Sequence, residues 1–173
     1  MRKLPRTAII IAVLIFGIWT FGQLLGTLRH SDSPKDARLL LYEASLFQTE
    51  LLSSSAGESG KARTTQDLQG LKQAAFSAAY THEKLAEAWG SAVPSLSSPS
   101  KAVEWIVRMQ IGGDRALTQE EQEMLVNVSP YFQELYDAYS HMVNKDGRIV
   151  GSSVDKLKEA DRHIAELLSE QFR

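Results

Sequence analysis

The chain has 173 residues, no cysteine and a formal net charge of −2. Without the three basic residues at its start, Arg2, Lys3 and Arg6, 16 Lys and Arg face 21 Asp and Glu, a net charge of −5. That acidic balance argues against nucleic acid and polybasic lipid binding. The missing cysteines exclude disulfides, thiol chemistry and a lipoprotein anchor.

Residues 7–28, TAIIIAVLIFGIWTFGQLLGTL, carry no charge. At about 1.5 Å rise per residue, a helix of this length crosses a bilayer core of about 30 Å. The run is longer than a signal-peptide core and no A-x-A site follows it, so it reads as an uncleaved transmembrane anchor. Arg2, Lys3 and Arg6 precede it without an acid, whereas Arg29, Lys35 and Arg38 after it are mixed with Asp32 and Asp36. The positive-inside rule then leaves residues 1–6 in the cytoplasm, 7–28 in the cell membrane, 29–33 as a juxtamembrane linker and 34–173 as an extracytoplasmic domain. A cysteine-free outer domain of this size suits a bacterial envelope. Gly22 and Gly26 form G-x-x-x-G, a spacing that lets two membrane helices touch. They are the candidates for packing a homodimer, although the same spacing also arises by chance in membrane spans.

From residue 34 onward the pattern is helical, with no sustained two-residue alternation. Ser33-Pro34 opens a first helix. Leu40, Ala44, Phe47 and Leu51 share one of its faces, expected to be the buried one. SSSAGESGKAR, residues 53–63, is polar and Gly/Ser-rich and reads as a flexible link. A second helix spans residues 65–89 and ends at Gly90. Its Leu68, Leu71, Ala75, Ala78, His82, Leu85 and Trp89 form a heptad seam.

Residues 91–100 are a turn-rich connector. Ser98-Pro99 opens a short helix through Trp105, Ile106 and Met109, stopped by Gly112-Gly113. Thr118 and Glu121 then make a capping box. Leu125, Val128, Phe132, Leu135, Tyr139 and Met142 keep one apolar register through Pro130, which argues for one kinked helix over two. Asp146-Gly147 marks a turn, and Ser152 with Asp155 resembles a weaker capping box. The last helix buries Val154, Leu157, Ile164 and Leu168, with Lys156, Lys158, Glu159, Asp161, Arg162 and Glu166 on a charged face. The expected fold class is all-α: one transmembrane helix, then an antiparallel bundle of four main helices and one short helix.

Catalytic and metal-ligand spacings are absent. His82-Glu83 is not followed by the second histidine of a zinc motif, and there is neither a phosphate-binding glycine loop nor a nucleophile elbow. No cofactor and no metal are expected. Asp137 with His141 and Glu159 with His163 are spaced as ordinary surface pairs. His82 stands out as a polar residue in an alanine-rich seam, able to hydrogen-bond across a bundle and fix its register, although a partly exposed bundle histidine is the plainer reading. Trp89, Trp105, Ile106 and Met109 are candidates for an apolar partner groove near the Gly112-Gly113 break, although aromatics at such spacing more often belong to a core.

The order of features resembles the N-terminal region of YpeB-type spore-germination proteins. The likeness rests on the basic start, the single span, the helix ending in Leu85-Ala86-Glu87-Ala88-Trp89 and the proline-bearing connector. It continues through the Ser98 to Ile106 helix, Leu117-Thr118-Gln119-Glu120-Glu121, Glu134-Leu135 and His141-Met142-Val143. It covers residues 5–145, and the large C-terminal repeat region of that family has no counterpart in these 173 residues. The resemblance implies a non-enzymatic membrane protein of a spore-forming bacterium that holds or stabilises a cell-wall hydrolase. It transfers no individual functional residue. From the residues themselves, the leading expectation is an anchored protein that binds or scaffolds an envelope partner at the outer face of the membrane. The alternative is a ligand-binding sensor bundle, with His82 at its pocket, signalling through a membrane partner.

Overall fold

Residues 34–170 are the part of the chain that the computed structural model describes, and they are all-helical. In order they form α1 (Pro34–Ser59), α2 (Gln69–Trp89), α3 (Ser98–Gln110), α4 (Gln119–Ser140) and α5 (Gly151–Glu170). Short 3-10 turns occupy Thr65–Leu68 and Gly90–Ala92. No strand occurs among the described residues, where two isolated bridges, Thr64 with Ala116 and Val143 with Ile149, pin loops together. The expected anchor, residues 7–28 with Gly22 and Gly26, lies outside the described residues. Among those described, no helix is long and apolar enough to cross a membrane.

α4 packs along α5, α2 along α3 and α3 against α5. The apolar registers of α4 and α5 explain the first of these. Leu125, Val128, Phe132, Leu135, Tyr139 and Met142 are all buried, as are Val154, Leu157, Ile164 and Leu168. α4 is one helix through Pro130. The residue that loses its hydrogen-bond donor, Val126, is 56% exposed, so its carbonyl is on the wet side where water can replace the missing amide. The Thr118 capping box is present, with Glu121 N–H donating to Thr118 Oγ1 and Thr118 N–H donating to Glu121. Arg115 grips the same carboxylate and holds its pKa below the usual range. Asn144 accepts amide hydrogens from Asp146 and Arg148 in the α4–α5 turn, where Gly147 takes a positive φ of 72°.

The α2 seam is also as expected. Leu68, Leu71, Ala75, Ala78, His82 and Leu85 are buried and Trp89 is half-buried. Gly90 ends the helix at φ 62°, a backbone that disfavours any side chain. A second capping box, not anticipated from the sequence, precedes it. Asp67 accepts from the Arg63 and Thr64 amides, and these bonds lower its pKa.

Three expectations are corrected. First, α1 does not bury Leu40, Ala44, Phe47 and Leu51. Leu40 is 65% exposed, Phe47 55% and Leu51 41%, and Ala44 is exposed as well. The buried register is Tyr42, Ser45, Thr49, Leu52, Ala56 and Ser59. Hydroxyls can be buried here because each finds an acceptor: Ser45 Oγ donates to Thr81 O at 3.1 Å, Thr49 Oγ1 to Ser45 O at 2.8 Å and Ser59 Oγ to Ala56 O at 2.7 Å. Second, the Gly/Ser-rich segment is not a flexible link over residues 53–59, because α1 continues to Ser59. Ser53 Oγ donates to Gln133 on α4 at 3.0 Å, and Ala56 is fully buried. Third, α5 starts at Gly151, which puts Ser152 inside the first turn and not at the cap.

Candidate functional site

Two concave surfaces and one buried polar network are the features with chemistry to offer. The network joins α1, α2, α4 and the connector. His82 is 3% exposed. Its Nε2 lies 2.7 Å from the Pro94 carbonyl, which can only accept, so Nε2 carries the proton. Nδ1 is then the acceptor for the Tyr139 hydroxyl at 3.0 Å. The Tyr42 ring stacks on that of Tyr139, with centroids 6.0 Å apart, and its hydroxyl donates to Tyr139 O at 2.8 Å. Burial pushes the pKa of both tyrosines up and that of His82 down, the latter opposed by Pro94 and the charge of Asp161. Both ring nitrogens are committed to hydrogen bonds across the bundle, and His82 is buried where a partly exposed bundle histidine was the plainer expectation.

Asp161 differs from its expected place on the charged face of α5. It is 8% exposed and caps α3 from outside that helix. Ser97 N–H and Ser98 N–H donate to Asp161 Oδ1 at 3.0 and 2.8 Å, and Ser97 Oγ donates to Oδ2 at 3.2 Å. A carboxylate at a helix N-terminus satisfies orphan amides and meets the positive end of the helix dipole. It fixes α3 on α5 and so shapes the groove beside it.

That groove, about 450 Å³, lies between α2, the connector and α3. Phe76, Tyr80, Leu96 and Val103 form its apolar walls, with Glu83 and Glu87 at its margin. Phe76 is 64% exposed and Tyr80 57%, large values for aromatic side chains. The Lys84 ammonium sits 5.8 Å from the Tyr80 ring centroid and is paired with Glu87 at 2.9 Å. Trp105, Ile106 and Met109 are buried in the core instead, and Trp89 is half-buried with its Nε1 lacking a hydrogen-bond partner. They do not line the groove. The sequence does carry a signal for the true lining. Phe76 and Tyr80 are an i, i+4 aromatic pair off the α2 seam, on a flank that a simple bundle would leave polar.

The second concavity, about 730 Å³, is a cleft between α4 and α5 with an apolar floor and charged side chains around it. Glu134, Asp137, His141, Lys156, Glu159 and His163 converge on it. His163 Nε2 accepts from Arg162 at 3.2 Å, which puts its proton on Nδ1. That Nδ1 is buried without a hydrogen-bond partner, beside the Tyr131 ring. No group of three or more His, Cys, Asp or Glu among the described residues is arranged to hold a metal ion.

Comparisons with protein-family models, curated proteins and solved structures find no match for this chain.

Proposed function

We propose that the protein is a membrane-anchored, non-enzymatic scaffold whose extracytoplasmic bundle holds another envelope protein in the groove between α2 and α3. The observation that carries this reading is the exposed pair Phe76 and Tyr80 over Leu96 and Val103. Large aromatics in an apolar concavity are typical binding anchors. The acidic margin of Glu83 and Glu87 favours a partner segment with an apolar centre and basic flanks. The uncharged residues 7–28 support the anchor, and Arg2, Lys3 and Arg6 support an outward domain. The resemblance to YpeB-type proteins supports a cell-wall hydrolase as the partner class and spore formation or germination as the setting.

The test is a photo-crosslinking residue placed at Tyr80 in the full-length chain in native membranes. One stoichiometric envelope protein, lost when Phe76 is changed to Glu, is the expected result. Crosslinking only to lipid, or to nothing, would overturn the reading. A reporter fused after Arg173 tests the orientation, and activity in the cytoplasm would reverse it.

A second reading, a ligand sensor, draws on the cleft between α4 and α5. Glu134, Asp137 and Glu159, beside Lys156 and the His163 ring, would suit a small cation or zwitterion. A dialysed small-molecule mixture that raises the melting temperature of the wild type, but not of His163→Phe, would favour it over the scaffold.

A further inference from the structure

α1 presents two interleaved registers, and its more apolar one faces outward. Leu40, Ala44, Phe47 and Leu51 step four, three and four residues, the spacing of successive d and a positions of a heptad. No described element covers them: Leu40, Phe47 and Leu51 are 65%, 55% and 41% exposed. The side chains that close the bundle lie on the other side of the helix, at Tyr42, Ser45, Thr49 and Leu52. This stripe is separate from the α2–α3 groove.

The flanking charges select what can cover it. With Leu40 and Phe47 at d, Glu43 and Glu50 occupy g, and Leu41 and Gln48 occupy e. In a parallel pair of α1 helices, g of one copy faces e of the next heptad in the other, so Glu43 meets neutral Gln48. In an antiparallel pair, g faces g, and Glu43 meets Glu50 across the seam with like charge. The same acids oppose docking on an anionic lipid surface. The chain before α1 points the same way. The uncharged run ends at residue 28, six positions before Pro34, and carries the G-x-x-x-G pair Gly22 and Gly26, a sequence spacing suited to self-association. We propose that the occupant of this face is a second copy of the chain, paired in parallel and in register along residues 40–51 of α1.

A seam of two heptads is short, so the pair needs help from tethering. Two chains held in one membrane have a high effective concentration, and parallel orientation comes with the tether. That part rests on the anchor reading; the choice of parallel over antiparallel rests on Glu43 and Glu50 alone.

The chain has no cysteine, so single cysteines report without background. The experiment is oxidative crosslinking of full-length Leu40→Cys, Phe47→Cys and Lys158→Cys proteins in native membranes. The expected result is disulfide dimers at positions 40 and 47, well ahead of position 158 on the exposed face of α5. A further change, Leu51→Glu, in the Leu40→Cys protein should abolish its dimer while leaving the helical signal intact. An antiparallel pair would instead crosslink Leu40→Cys only to a co-expressed Leu51→Cys chain, and that result overturns the proposal. So does equal crosslinking at all three positions, or none at 40 and 47. Membrane fractionation of the same samples separates the two readings. Chains in the membrane without dimers sink the pairing alone, whereas register-specific dimers among soluble chains sink the anchor alone.

Discussion

α1 and the α4–α5 hairpin use the same heptad grammar with opposite meanings. In α4 and α5 the apolar register is the inner one, with Phe132, Leu135, Leu157 and Ile164 at 1% exposure or less. In α1 the more apolar register is outside, and the inner one is held by hydroxyls that bond to backbone carbonyls. Periodicity therefore tells that a helix has a seam, but not which seam faces the bundle when two are present. A small hydroxyl side chain with a satisfied hydrogen bond is nearly as compatible with burial as alanine, and it lets helices approach closely. The outer leucines and phenylalanine of α1 are then free for another surface.

The sharpest way to break this comparison is deletion in the hairpin. Leu157→Ala should lower unfolding stability by about 2–5 kcal/mol, the usual range for a fully buried leucine. Urea unfolding of the full chain in detergent, followed by circular dichroism, measures it; a loss under 1 kcal/mol would mean the hairpin is not the core. Next in size is Asp161→Ala, which strands the Ser97 and Ser98 amides and should cost about 2 kcal/mol. The same titration checks it, and Asp161→Asn should recover only part, since the charge on the helix N-terminus is gone.

Tyr139→Phe removes the donor to His82 Nδ1 and should cost about 1–2 kcal/mol. Its companion is a pH experiment. Burial holds the His82 pKa below 6.5, so the unfolded chain takes up its proton first as pH falls. The contribution of His82 is complete above about pH 6.5 and declines as pH drops below that toward the folded pKa. The groups around it are the Tyr139 hydroxyl, the Asp161 carboxylate and the exposed Glu83 and Glu87 at the groove margin. Wild type should therefore lose stability as pH falls below about 6.5, and His82→Gln should lose less over the same range. Parallel slopes for the two proteins would place the titration elsewhere.

Much of the fold was legible because its strongest signals are local. The Thr118–Glu121 box, Gly90, Asp146-Gly147 and the α2, α4 and α5 seams are each written within a few residues. What escaped depended on distant partners. Nothing near Asp161 announces that it caps a helix 64 residues earlier in the chain. Ser53 through Ser59 read as a link because serine and glycine favour turns, yet Gln133 and the packing of Ala56 keep them helical. The groove was expected around Trp105, but a tryptophan in a short amphipathic helix is claimed by the core. Phe76 and Tyr80, off the seam, were left for the surface. The seam position of His82 was readable from the sequence, whereas its full burial and its partners, Tyr139 and Pro94, were not.

The inverted faces of α1 can be tested most directly by placing one charge on each. Phe47→Asp and Thr49→Asp lie two residues apart on the same helix, one on the outer register and one on the inner. In dilute full-length protein, where pairing between copies is weak, Phe47→Asp should change unfolding stability by no more than about 0.5 kcal/mol. Thr49→Asp, which buries an unpaired carboxylate, should cost about 3 kcal/mol or more. The opposite order, with Phe47→Asp the damaging change, would mean that α1 turns its leucines and phenylalanine inward and that its outer face carries no free apolar seam.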